Sequence, residues 1–189
     1  VSVTGTPEQP SKAGLSIADI AAGMYAYSSV LAALLQRGRT GRGQRLEISM
    51  LEAMSEWMGF PLYYTMDGQP PPRAGASHAA IYPYGPFRVG DGRQVMLGLQ
   101  NEREWVTFCS GVLDQPGLAQ DPRFASNRLR HEHRGPLNDL IEQAFSSLTT
   151  EEVVHKLDAA GIANAHINYM HDVWAHPQLR ARSRWVDVG

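Results

Sequence analysis

The sequence is 189 residues long with 43% hydrophobic content, enough apolar material for one core of ordinary size or for a small domain joined to part of another. Its 17 basic and 19 acidic residues leave a formal net charge of −2, which argues against binding along a phosphate backbone, since such proteins carry a strong basic excess. The single cysteine, Cys109, has no partner for an internal disulfide and fits a reducing compartment. No apolar run approaches the ~18 to 20 residues of a membrane span. The N-terminal "VSVTGTPEQPSKAG" lacks a charged region followed by an apolar one. A soluble, cytoplasmic chain with no membrane and no nucleic-acid partner is expected. Because it opens at Val1 in a polar stretch without a methionine, a fragment of a longer protein is also expected.

In chain order, "LSIADIAAGMYAYSSVLAALLQRG" comes first, with Ile20, Met24, Tyr27, Val30, Leu31, Leu34 and Leu35 at helical spacing. This predicts a helix of roughly 18 residues ending on Gly38. Between Asp19 and Arg37 it carries no charge, so it is expected to be covered on most sides. "RGRTGRGQR", residues 37 to 45, follows with four arginines and three glycines, and "RLEISM" alternates as a strand does. A P-loop places its glycines before the helix, where the N-terminal amides hold phosphate. Here they come after it, so the stretch reads as a tight helix-to-strand turn.

A second helix, "LEAMSEWMGFPLYYTMD" from Leu51, is rich in methionine and aromatic residues and suits an interface. "GQPPPRAG", residues 68 to 75, reads as a linker. Beyond it, two short strands flank Gly90, Asp91 and Gly92 in "IYPYGPFRVGDGRQVMLGLQ", a hairpin signal. Helices are predicted at about 102–113, 127–147 and 150–160, then a strand in "IANAHINYM" and a short helix near "HDVWAHPQLRAR".

Candidate chemistry is limited. Asp19 is the only carboxylate between Glu8 and Glu47 and stands where an apolar helix begins. A carboxylate there serves as an N-cap, or, partly desolvated and held by backbone amides, as a nucleophile. His131 and His133 are two apart, and His166, His171 and His176 are five apart. Neither spacing puts ligands on one helical face, so no metal is expected. Cys109, beside Phe108 on an amphipathic helix, reads as a small buried hydrophobe. His78 lies in a loop, either solvated or touching a ligand.

"GLSIADIAAGMYAYSSVLAALLQRGRTGRGQRLEISMLEA" resembles the signature segment of the class III CoA-transferases, the CaiB/BaiF family, which is related to the formyl-CoA transferases and α-methylacyl-CoA racemases. The likeness continues through "HAAIYPYGPFRVGDGRQVMLGLQNEREW", "DPRFASNRLRHEHR" and "GIANAHINYMHDVWAHPQLRAR" in the same order, so it covers nearly the whole chain. It implies an α/β fold: part of a Rossmann-like large domain over residues 1–66, a linker over 67–80, a small α+β domain over 81–175, and a return segment over 176–189. It further implies a homodimer of interlocked chains. Asp19 would be the catalytic nucleophile, moving CoA between an acyl-CoA thioester and a carboxylic acid through an aspartyl anhydride and an aspartyl-CoA thioester. The CoA thioester is then a substrate and no cofactor is needed.

Helix geometry suggests the amides near Ala21, Ala22 and Gly23 as oxyanion donors, with His78 and Ala79 in the substrate vicinity. "RTGRGQ" is a fold marker first, and contact of Arg39 or Arg42 with CoA phosphate is the lesser reading. The family's N-terminal half has no counterpart here and the C-terminal return stops soon after "SRWVDVG", so the chain is expected to be inactive alone. "SHAAIYPYG" stands in place of the glycine-rich loop of formyl-CoA transferases, which disfavours oxalate/formate exchange, and His133 stands where asparagine is expected. Small dicarboxylates of the succinate, mesaconate or malate kind are the expected acids. Racemisation of an α-methylacyl-CoA and a non-catalytic dimerisation role are the alternatives.

Overall fold

The computed structural model describes residues 2–68 and 71–188; Gln69 and Pro70 of the expected linker lie outside them, as do Val1 and Gly189. The chain divides into two compact units, Val1–Gly75 and Ala76–Gly189.

In the first unit, α1 (Ile17–Thr40) runs for 24 residues. It ends at Gly41 rather than at the expected Gly38. Gly41 takes the left-handed conformation (φ 71°) and donates its amide to the Arg37 carbonyl at 2.8 Å, which is the conformation that terminates a helix and suits glycine. The expected strand at "RLEISM" does not form: residues 42 to 49 pair with no strand among the described residues, and an extended segment without a ladder partner leaves its amides unmet. The expected single helix from Leu51 is broken into α2 (Met50–Trp57), α3 (Gly59–Tyr64) and a 3₁₀ turn, Thr65–Asp67. Pro61 has no N–H to give the carbonyl of Trp57, and its ring crowds that carbonyl, so the ladder stops there.

α1 packs against α2, with Trp57 Nε1 donating to Tyr25 Oη at 3.2 Å. Only Ala21 of α1 is buried, while Ile20, Met24, Tyr27, Leu31 and Leu35 are exposed. The expectation of a helix covered on most sides is therefore not met by the described residues, because α2 screens one flank only. Contrary to the absence of a span-length run expected above, α1 is long and apolar enough to cross a membrane, a test that core helices also pass. The end of the unit is tied back to its start: Arg73 donates from Nε to the Thr6 carbonyl and from Nη2 to that of Pro7, at 2.8 and 2.7 Å, and Gly75 donates its amide to Gly5.

In the second unit, β1 (Tyr84–Arg88), β2 (Gln94–Gly98) and β3 (Ala163–His166) form an antiparallel sheet in that order. Phe87 pairs with Val95, and Val95 with His166. The helices are α4 (Glu102–Thr107), which continues into a π-helical turn at Phe108–Val112, then α5 (Asn127–Glu132), α6 (Arg134–Phe145), α7 (Thr150–Ala159), α8 (Met170–Ala175) and α9 (Pro177–Ala181). The helix expected at 127–147 is interrupted at His133, because Pro136 offers no N–H to the Glu132 carbonyl.

Alternation along β1 and β2 turns Phe87, Val95 and Leu97 inward, where they meet Leu137, Ile141 and Phe145 of α6, four residues apart, and Val153 and Leu157 of α7. Trp105, Phe108 and Phe124 close the core. Each large side chain so buried contributes roughly 1.5–3 kcal/mol of transfer free energy. The result is the mixed helix-and-sheet architecture read from the sequence.

Candidate active site

Asp19 sits in the first turn of α1, three residues after the N-cap Ser16, and is exposed. It is therefore not the N-cap itself. Its position is one where the aligned peptide dipoles favour negative charge. The Ser16 side chain makes no capping bond, the Ile17 amide reaches back to Leu15, and the ladder begins with Ile20 donating to Ser16 at 3.0 Å. The uncommitted amides of this turn are those of Ala18 and Asp19. Ala21, Ala22 and Gly23 lie inside the continuous helix, where their amides are taken by carbonyls four residues earlier. They are not free to meet an oxyanion, which corrects the expectation from helix geometry.

Gly23, one turn beyond Asp19, joins Ile20, Met24, Tyr27 and Trp57 around an apolar groove of about 540 Å³. Arg39 and Arg42 stand at the far end of α1; at 1.5 Å per residue, Arg39 is about 30 Å along the axis from Asp19. The structure thus places the arginines and the aspartate apart.

His78 and Ala79 belong to the second unit. The His78 ring lies 5.1 Å from the Tyr84 ring, and its Nδ1 accepts from the amides of Ala80 and Ile81 at 3.0 Å each. With Nδ1 committed as an acceptor, the ring proton resides on Nε2. The following loop is clamped to α5. Asn127 donates to the Ala80 carbonyl at 2.8 Å and accepts from the Tyr82 amide at 3.0 Å. His131 Nε2 meets the Ala79 carbonyl at 3.1 Å, and Arg130 Nε donates to the Tyr82 carbonyl at 3.1 Å.

Arg130 is itself buried, bonded to Glu102 at 2.7 and 2.9 Å and set over the Trp105 ring. The guanidinium holds the Glu102 carboxyl below its usual range. Residues 78 to 82 are thus tied to α5 by four hydrogen bonds, and the loop presents one imidazole N–H. The sequence reading singled out His78 and Ala79 but missed Asn127, Arg130 and His131, whose i, i+3, i+4 spacing on a predicted helix was the available signal.

Comparison with known proteins identifies the class. The model of CoA-transferase family III matches residues 1–189, and the chain belongs to that family. It is similar to an acyl-CoA transferase of Fusarium pseudograminearum (34% identity, 98% of this chain, 41% of the relative). It is also similar to a succinate–glutarate CoA-transferase of Agrobacterium fabrum (30% identity, 100% of this chain, 47% of the relative). Among solved structures, a CaiB/BaiF family protein from Brucella suis superposes with a TM-score of 0.82 at 31% identity, over 98% of this chain and 49% of that one. The chain spans about half the length of the relatives it matches.

Proposed function

We propose that this chain carries the nucleophile of a CoA-transferase, with Asp19 in that role. The observation that carries the reading is Asp19 itself, an isolated and exposed carboxylate in the first turn of an apolar helix. It is supported by membership of a family whose relatives are named as CoA-transferases.

In the proposed reaction the Asp19 carboxylate attacks the thioester carbonyl, forming a mixed anhydride and releasing CoA thiolate. The thiolate then attacks the aspartyl carbonyl, the donor acid leaves as its carboxylate, and an aspartyl-CoA thioester remains. An acceptor carboxylate displaces the thiolate to give a second anhydride. The thiolate attacks the acceptor's carbonyl, so the new acyl-CoA departs and Asp19 is regenerated. A carboxylate suits this exchange because each intermediate keeps an activated acyl group.

Small dicarboxylates are the proposed acids, a choice supported by the name of the Agrobacterium relative. His78 and Ala79 are proposed as substrate-vicinity residues, supported by the bonds that tie their loop to α5 and by the single N–H that His78 offers. The reading takes α1 as a core helix of a cytoplasmic homodimer, and the 189 residues alone as inactive.

The test is to incubate the full-length protein with a panel of acyl-CoA thioesters, quench with hydroxylamine and analyse the Asp19 peptide by mass spectrometry. A hydroxamate on Asp19 is expected, absent from Asp19→Asn, together with a loss of exchange of at least roughly 10³-fold. No adduct with any donor, combined with deuterium loss from C2 of a 2-methylacyl-CoA, would replace transfer by racemisation.

A further inference from the structure

We infer that a cavity in the second unit binds a small, multiply charged oxyanion. The cavity, about 270 Å³, opens where the start of β2, the end of β3 and the first turn of α7 meet. Its size falls just under the ~300–1,000 Å³ typical of sites for drug-sized ligands, which suits a small anion.

Its lining is rich in donors that the fold leaves uncommitted. Arg93, Gln94, His166 and Asn168 all face it, and among the described residues none of their side chains makes a hydrogen bond or ion pair. Thr150, only 2% exposed, also lines the cavity, and its Oγ1 has no hydrogen-bond partner. A buried hydroxyl left so is destabilising, a cost that a ligand would relieve.

Two carboxylates bear on the cavity: Asp172 is part of its lining and Asp91 stands beside it, and each already accepts backbone amides. Asp91 accepts from the amides of Thr150 and Arg93 at 2.8 and 2.9 Å. These two bonds, Thr150's the larger effect, hold its carboxyl below the usual range, and the neighbouring Thr150 hydroxyl adds to this without reaching hydrogen-bond geometry. Asp172 accepts from the Tyr169 amide at 2.7 Å and lies 3.2 Å from His171 Nε2. What remains on offer is a guanidinium, imidazole and amide donors, and a hydroxyl. The complement of such a set is an acceptor-only group of high charge density, a phosphate or a dicarboxylate.

The test titrates the whole chain with inorganic phosphate and, separately, with malonate, following the backbone amide resonances of Arg93, Thr150 and His166. Saturable shifts at these positions are expected, beyond those from sodium chloride at equal ionic strength, with whichever probe binds more tightly telling phosphate from carboxylate. Arg93→Gln should weaken binding at least roughly tenfold. Thr150→Val should also weaken it while leaving thermal stability unchanged or raised, since the hydroxyl it removes is unpartnered. Should Thr150→Val fail to fold, the exposed Arg93 still decides. The inference is overturned if neither anion gives saturable shifts, or if affinity is the same in Arg93→Gln as in the parent chain.

Discussion

Arg130 concentrates more polar contacts than any other buried side chain described here. It bonds Glu102 with both terminal nitrogens and reaches the carbonyls of Tyr82 and Phe124. Lysine cannot reproduce that fork, so Arg130→Lys should lower the unfolding free energy by about 2 kcal/mol, measured by urea denaturation. Its partner yields a pH prediction. Because Arg130 holds the folded-state value of Glu102 below the ordinary carboxylate range, the stabilisation is present at neutral pH and disappears as pH falls through that lowered value. The urea midpoint should thus fall more steeply on acidification in the parent than in Glu102→Gln. The difference at pH 7 should be only about 0.5–1 kcal/mol, since the Glu102 side chain is 57% exposed and screened by water. At this scale Asp19 stood out as a candidate because no other carboxylate lies near it in the chain. The loop clamp did not, because its partners lie 45 and more residues apart.

The same contrast holds for whole elements. Period-two alternation and the Gly-Asp-Gly turn located the hairpin, and β1 and β2 flank it as expected. Helix breaks were harder to read: apolar spacing continues straight through Pro61 and Pro136, while the missing N–H stops the ladder. The stretch at 45 to 50 alternates like a strand, yet alternation says nothing about whether a neighbouring strand exists.

Gly90 ties the hairpin turn to the connection between α6 and α7, donating its amide to Phe145 and Leu148 at 3.1 and 2.7 Å. A Cβ there would run into the Ser146 carbonyl oxygen and come within 3.0 Å of that of Leu148. Both obstacles are backbone and cannot swing away. Gly90→Ala should therefore destabilise the second unit by about 1–3 kcal/mol, read as a lowered denaturant midpoint.

Across the whole molecule, the chain divides into its two units after Gly75, and the sequence did not reveal that Arg73 and Gly75 fasten back onto residues 5 to 7. Nor did it reveal how much of α1 is left uncovered. Leu31 and Leu35 are 50% and 61% exposed, and a contiguous apolar face of this kind is unusual on a lone chain. The chain should bind an environment-sensitive dye such as anilinonaphthalene sulfonate. Leu31→Gln with Leu35→Gln should dim that fluorescence while moving the unfolding free energy by no more than about 0.5 kcal/mol.

Cys109 is fully buried, and burial pushes its thiol up to about 12. A thiol-specific reagent can reach it only when the second unit opens. The first unit has no sulfhydryl of its own, so the labelling rate reports on residues 76–189 alone, without any tag or added fluorophore. Gly90→Ala should quicken that labelling and Leu31→Gln should not. One sulfur atom thus serves as a stopwatch for the part of the chain that encloses it.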